Sequence, residues 1–348
     1  MSLPSAERPV RVAVIGCGFW ARYQIAGWRE VADAQVVALY NRTRSKAEKL
    51  GAELGIAAVY DDAEELLRRE GVDVVDVITD VETHAKFVHL AASKGMPVIC
   101  QKPLAPSPEI AVGMVQACRN AGVPLLVHEN WRWQAPIRAL NRVLDAGTIG
   151  KVFRARVDFI TGFPVFRSQP FLRELPQFIL TDIGSHILDA ARFLFGEVSD
   201  LYCQTKRVHP DINGEDVATV MMRMADGASV VCNMAYAENF LEHDRFPETY
   251  VFVEGENGSA ELGPDYWIRV TTAAGTQAKR HPPPRYAWAD PAYDVVQASI
   301  VPCCANLLEG LRGGPGVETT GEDNLKTVRL VFGAYESAAS GMVIQVGG

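Results

Sequence analysis

Residues 12–21 read VAVIGCGFWA: four small apolar residues, two glycines one residue apart, and an alanine three further on. A β-rich run feeding a glycine turn and then a helical pattern has two readings. In the dinucleotide-binding reading, Gly16 permits the tight turn and Gly18 lets the backbone approach a pyrophosphate. Ala21 then supplies the small residue that close helix–strand packing needs. The opening of the helix would offer unpaired N–H groups and a partial positive charge to the phosphates. In the alternative reading the stretch is only a structural strand-to-helix turn.

The residues that follow favour the first reading. Strand-like runs at 10–15, 35–40, 73–79, 98–100 and 125–128 alternate with helical patterns at 20–31, 44–54, 82–94 and 108–121. That alternation predicts βαβ units, a parallel sheet and helices on both faces. Near Gly150 the period changes. Segments 152–159, 201–208, 217–224, 229–236, 250–254 and 267–272 alternate with period two, as in an open, mostly antiparallel sheet. A helix is expected at 181–195, closed by Gly196, and helical patterns return at 296–311 and 323–338. The fold class expected is therefore α/β followed by α+β. A flexible tail covers 1–9, a doubly wound NAD(P)-binding Rossmann domain 10–130, and an α+β domain for substrate binding and oligomerisation 131–348. The last helix is free to pack back on the first domain, and the remaining helices should cover one face of the second sheet.

Composition narrows the partners. With 34 Lys+Arg against 42 Asp+Glu the net charge is −8, which does not suggest a nucleic-acid partner. No apolar run reaches the ~18–20 residues of a membrane span. The first residues, MSLPSAERP, lack an apolar signal region. Seven cysteines without framework spacing suggest thiols in a reducing compartment, so a cytoplasmic location is expected. His84 and His89 are five apart, off the spacing that stacks two ligands on one helix face, and no metal site is expected.

The end of the second strand bears on the cofactor. A carboxylate there normally bonds the ribose 2′-hydroxyl, but this chain has Asn41-Arg42-Thr43-Arg44. Two arginines without a carboxylate lean toward the 2′-phosphate of NADP. Asn41 bonding the ribose of NAD, with solvated arginines, is the other reading. NAD or NADP stays open on these residues.

Further along, Asp182, His186 and Asp189 stand at i, i+4 and i+7 in an otherwise apolar segment, forming one polar stripe. Burying charges without partners is expensive, so the stripe faces an internal network or a pocket. Lys102 follows an apolar strand and precedes a proline, at the end of the sheet where ligands gather. The run His128-Glu129-Asn130-Trp131-Arg132-Trp133 combines flat rings with hydrogen-bonding groups. It fits a carbohydrate site in which Asn130 and Arg132 bond hydroxyls and Trp133 covers a sugar face, or an aromatic core. Phe163 and Arg167 lie in a loop that could close on a substrate.

The chain resembles the glucose–fructose oxidoreductase / inositol dehydrogenase (Gfo/Idh/MocA) family of NAD(P)-dependent sugar and polyol dehydrogenases. The resemblance rests on GCGFWA, on Ile78-Thr79 through His84, and on Cys100-Gln101-Lys102-Pro103-Leu104-Ala105. It continues in Asn130-Trp131-Arg132-Trp133, in Thr181-Asp182-Ile183-Gly184-Ser185-His186-Ile187-Leu188-Asp189 and in Gly321-Glu322-Asp323-Asn324. It implies Lys102, Asp182 and His186 as the catalytic set, with Asp182 and His186 also on the substrate. It also implies Gly16, Gly18, Phe19, Trp20, Asn41, Arg42, Thr79, His84 and Gln101 at the cofactor, and a Lys-Pro bond that is often cis. HENWRW is similar to pentose dehydrogenases of the apiose type within that family, which would favour NAD. Where the family usually has Glu before the lysine, this chain has Gln101, which puts the protonation of Lys102 in question. Asp80-Val81 stand where relatives often carry prolines.

The expected activity is hydride transfer from a sugar or polyol carbinol to the nicotinamide: an aldose such as a pentose to its lactone, or an inositol. His186 would be the base, Asp182 the group that positions the hydroxyl, and Lys102 the donor to the reacting oxygen. The alternative is a non-catalytic dinucleotide- or sugar-sensing protein of the same fold. Apolar side chains on both faces of 217–224 and 229–236 predict a homodimer or homotetramer built through the sheet face.

Overall fold

The structure, a computed structural model, describes residues 8–68, 71–239 and 246–347. The chain divides into two compact units. One holds residues 1–130, 287–289 and 300–328, the other 131–286, 290–299 and 329–348.

The first unit is a six-stranded parallel sheet in the order β3-β2-β1-β4-β5-β6. Its strands are β1 (Val10–Ile15), β2 (Ala34–Tyr40), β3 (Val59–Tyr60), β4 (Val74–Val77), β5 (Val98–Gln101) and β6 (Leu125–His128). Between them run α1 (Ala21–Arg29), α2 (Arg44–Leu54), α3 (Ala63–Leu67), α4 (Val81–Ser93) and α5 (Pro108–Ala121). Strands β4, β5 and β6 are buried along their whole length, as a sheet covered on both faces requires. Punctuation is local: Asp62 and Ser107 cap α3 and α5 with their side chains, and Gly55 and Gly122 close α2 and α5 in the left-handed conformation. β3 and α3 escape the sequence reading because two- and five-residue elements show no period. The expected flexible tail 1–9 lies, for residues 1–7, outside the described residues. Arg8 is tied down by a two-pronged ion pair to Asp73, at 2.7 and 2.8 Å.

The second unit begins with a single helical turn at Trp131–Trp133 and α6 (Ala135–Asp145). α6 is absent from the sequence expectation; Pro136 stands in its first turn, where its missing N–H leaves no bond unmade. The sheet has nine strands, ordered β14-β13-β12-β11-β7-β10-β9-β8-β15. They are β7 (Val152–Thr161), β8 (Val198–Lys206), β9 (Val217–Met224), β10 (Ser229–Tyr236), β11 (Tyr250–Gly255), β12 (Gly258–Gly263), β13 (Trp267–Thr272), β14 (Gly275–Arg280) and β15 (Ile344–Gln345). All pairings are antiparallel except β7 with β10. β14 is exposed at every residue and carries no apolar alternation, which is why the sequence does not announce it.

Inward residues of β7, among them Ala155, Val157 and Phe159, are buried, and α8 (Ser185–Phe195) packs on this face. A short α7 (Val165–Ser168) precedes it. On the other face Ile160, Met221 and Phe252 are exposed, among polar neighbours such as Arg156, Asp158 and Asn233. The helix expected at 296–311 is two, α9 (Asp294–Ala298) and α10 (Ile300–Leu311). α11 (Gly321–Ser340) is the last helix.

Candidate active site

In the first unit the glycine turn has the geometry of a cofactor cradle. Gly16 has φ +109°, and a Cβ there would meet the Ile78 carbonyl oxygen at 2.4 Å, so only glycine fits. A Cβ on Gly18 would meet nothing within 4 Å, which leaves open space above its backbone. No side chain caps the start of α1, so its N–H groups stay available to an anion. Phe19 is exposed and Trp20 half-buried beside this turn. These residues fit a dinucleotide pyrophosphate.

Asn41, expected at the cofactor, stands beside the glycine turn. Its Oδ1 accepts from the Cys17 N–H at 3.1 Å and its Nδ2 donates to the Thr43 carbonyl at 3.0 Å, so it braces the turn. Arg44 is held by Glu48 at 2.9 Å and Asp61 at 3.4 Å; Arg42 is exposed. His84, also expected at the cofactor, lies inside the unit. It is buried, with Nε2 3.0 Å from the Thr79 carbonyl and Nδ1 3.2 Å from that of Leu104. Burial pushes its pKa below the ordinary value, against the raising effect of those carbonyls. It fastens the Thr79 loop to the segment after Lys102. Thr79 accepts from the Thr83 hydroxyl at 2.8 Å.

Lys102 is half-buried at the end of β5, followed by a cis bond to Pro103. Gln101 lies beneath it. Its Oε1 accepts from the Lys102 N–H at 3.0 Å, while its Nε2 contacts Gln24 Oε1 at 2.5 Å and His128 Nδ1 at 3.2 Å. Asn130 is buried at the end of this unit.

In the second unit Asp182 sits on a five-residue π-helical turn, Leu180–Gly184, that runs directly into α8. Such widened turns recur at functional sites because they re-aim side chains; periodicity alone reads 181–195 as one regular helix. The buried His186 ring stacks on Trp131, centroids 4.5 Å apart and 24° between planes. Trp131 is itself pinned by its indole N–H to Thr249 Oγ1 at 2.9 Å.

The polar stripe separates by role. Asp189 is fully buried and takes a two-pronged ion pair from Arg132, at 2.6 and 2.7 Å, with Arg192 3.8 Å away. Arg132, expected on sugar hydroxyls, is engaged with Asp189. The Trp133 ring carries the Arg138 guanidinium 3.5 Å from its centroid. Phe163 stacks on Phe246 at 3.9 Å, with Tyr293 5.4 Å from Phe246, whereas Arg167 is exposed. Phe246 and Tyr293 carry no motif and were not legible. Among the described residues no cluster of His, Cys, Asp or Glu could hold a metal ion.

A Rossmann unit with this cradle and a second unit built on an open antiparallel sheet define an NAD(P)-dependent oxidoreductase acting on CH–OH groups. Residues 10–129 match the oxidoreductase family with NAD-binding Rossmann fold, and residues 137–261 match the GFO/IDH/MocA C-terminal domain. The chain belongs to the Gfo/Idh/MocA family. It is 41% identical over 335 residues to a D-apiose dehydrogenase of Rhizobium rhizogenes, covering 96% of this chain and 97% of that one. A D-apiose dehydrogenase of Paraburkholderia graminis is 41% identical over 334 residues, with 96% and 89% covered. Among solved structures, an oxidoreductase from Agrobacterium radiobacter in complex with NAD+, L-tartaric acid and magnesium superposes with TM-score 0.95 at 40% identity, over 97% and 98% of the two chains. A levoglucosan dehydrogenase shares the fold, with TM-score 0.85 at 20% identity over 98% and 100%. The enzyme is thus a sugar dehydrogenase, and these relatives lend no support to a non-catalytic sensor.

Proposed function

We propose that the enzyme oxidises a pentose of the apiose type at its anomeric carbon to the lactone, with NAD+ as acceptor. The full-length similarity to two D-apiose dehydrogenases supports the sugar. The engagement of Arg44 with Glu48 and Asp61 supports NAD over NADP, since a 2′-phosphate would have to compete with two carboxylates for it.

One observation carries the catalytic assignment. The buried His186 ring is held flat on Trp131, in the helix that continues from the π turn carrying Asp182. In this reading His186 takes the proton of the anomeric hydroxyl and Asp182 orients that hydroxyl. Lys102 donates to the same oxygen and stabilises its developing charge. A bound nicotinamide accepts the hydride. Phe163 and Trp133 are substrate-contact candidates, and Gly16, Gly18, Phe19, Trp20, Thr79 and Arg42 cofactor-contact candidates. The exposed Ile160, Met221 and Phe252 on the outer face of the sheet support a homodimer or homotetramer.

The test is nicotinamide reduction with NAD+ and NADP+ crossed against D-apiose, other aldoses and inositols. Turnover greatest with D-apiose and NAD+ is expected. Turnover restricted to inositols, or a preference for NADP+, would overturn the corresponding part of the reading. A monomer in light scattering would remove the oligomer.

A further inference from the structure

Beneath Lys102 runs a buried chain of side chains that the proposed chemistry does not use. Asp76, on β4, is fully buried and its carboxylate accepts from the Trp28 indole N–H at 2.8 Å. The Gln24 amide nitrogen lies 2.8 Å from both of its oxygens. Gln24 Oε1 faces Gln101 Nε2 at 2.5 Å, Gln101 Oε1 faces the Lys102 N–H at 3.0 Å, and Gln101 Nε2 also reaches His128 Nδ1. His128 Nε2 is 3.7 Å from Cys304 Sγ. All of these residues belong to the first unit.

With Asp76 ionised, the direction of every bond in this chain is forced. An ionised carboxylate only accepts, so Gln24 must turn its NH2 to Asp76 and its carbonyl to Gln101. Gln101 must then turn its NH2 to Gln24, which leaves its carbonyl for the Lys102 N–H and a hydrogen for His128 Nδ1. His128 is left with its own proton on Nε2, toward Cys304. Flipping either amide would set oxygen against oxygen at one end and N–H against N–H at the other.

We propose that Asp76 and Gln24 are positioning residues for Lys102, acting through a one-way hydrogen-bond relay that holds the Gln101 amide in the single orientation able to accept the Lys102 backbone N–H. The proposal rests on the reading of Lys102 as a catalytic residue. Burial pushes Asp76 up to about 7 despite its bonds to Trp28 and Gln24. The Cys100 and Cys304 thiols beside it are themselves pushed well above their ordinary values, chiefly by burial. Among the described residues no cationic side chain bonds Asp76. Keeping an anion here opposes folding, and a neutral asparagine would avoid that cost while losing control of the relay's direction.

The relay predicts that reversing its two ends together is tolerated while reversing either alone is not. In Asp76→Asn, Gln24 no longer has a single preferred orientation. In Gln101→Glu, a carboxylate faces the Gln24 carbonyl. In the double variant Gln24 turns over, donates to the new carboxylate at position 101 and accepts from the new amide at position 76. The carboxylate at position 101 still accepts the Lys102 N–H. The experiment measures kcat, KM and NAD+ affinity for all three variants at about pH 8.5, above the Asp76 titration, together with the His128 tautomer by 15N NMR. Each single variant is expected to lose about tenfold or more in kcat, and the double variant to recover to within about threefold of wild type. His128 should carry its proton on Nε2 in the wild type and on Nδ1 in the double variant. A wild-type proton on Nδ1, single variants with normal kcat, or a folded double variant no better than the worse single variant would each overturn the relay. Lys102→Met separates the two readings. If it keeps turnover, the catalytic role of Lys102 fails, while the tautomer measurement still decides the direction of the relay.

Discussion

Replacing Asp189 with asparagine removes a buried charge that lies between two buried arginines. The side chains of Asp189, Arg132 and Arg192 are 0%, 6% and 4% exposed. Arg132 cannot lose its proton, so in the variant its guanidinium meets a neutral amide where the two-pronged carboxylate stood. Arg192 keeps Glu197, at 3.0 and 3.1 Å, and is affected less. Removing one partner of a buried pair costs about 3–5 kcal/mol. For a unit of roughly 190 residues, about 2–4 °C of melting temperature per kcal/mol gives a fall of about 6–20 °C. The effect should reach the chemistry, because Arg132 is the neighbour of Trp131 and Asp189 lies one turn beyond His186. We expect kcat to fall about tenfold even well below the transition, with NAD+ affinity unchanged. Calorimetry and steady-state kinetics of Asp189→Asn check this, with Arg132→Leu/Asp189→Leu as the partner measurement. The double change removes both charges and should recover most of the stability, since an apolar pair of similar volume is often neutral or better. A fall of under about 2 °C for Asp189→Asn, or a double variant no more stable than the single, would refute the argument.

Three further outcomes follow from the geometry. Trp131→Leu removes the face on which His186 lies and should lower kcat and displace the acid limb of the kcat/KM profile, whereas Thr249→Val, which removes only the bond to the indole, should do less; an unmoved profile in Trp131→Leu would dismiss the stack. The raised pKa of Asp76 means the folded chain holds a proton that the unfolded chain has lost between about pH 4 and pH 7. Its contribution to stability therefore falls as pH rises through that window, by on the order of 4 kcal/mol, and is flat above it. Denaturant midpoints of wild type and Asp76→Asn should diverge in favour of the variant as pH rises, and parallel curves would contradict the assignment. Gly16→Ala places a Cβ against the Ile78 carbonyl at a φ that L-residues rarely adopt, so NAD+ affinity measured by fluorescence titration should drop sharply; retained affinity would show that the turn is not the cradle.

Much of the architecture is determined by short-range pattern. The strand–glycine–helix junction at 12–21, the four βαβ repeats after it and the period-two runs beyond Gly150 specify a Rossmann unit and an open sheet, because burial on two faces or one writes itself into the residue sequence. The same holds for Gly16, whose need to lack a Cβ is a local property, and for the Asp182–His186 spacing. Other features depend on partners far apart in the chain. Nothing near Asn41 says that its amide braces Cys17, and nothing near Arg132 names Asp189, 57 residues on, as its partner. The π turn under Asp182 is invisible to a periodicity that assumes a regular helix, and the stack of His186 on Trp131 joins residues 55 positions apart. Gln24, Asp76 and His128 read as ordinary members of a helix and two strands. Only the parallel stacking of β4, β5 and β6 against α1 and α10 brings them into one buried line, and there the acceptor-only carboxylate of ionised Asp76 fixes which way the Gln24 and Gln101 amides point.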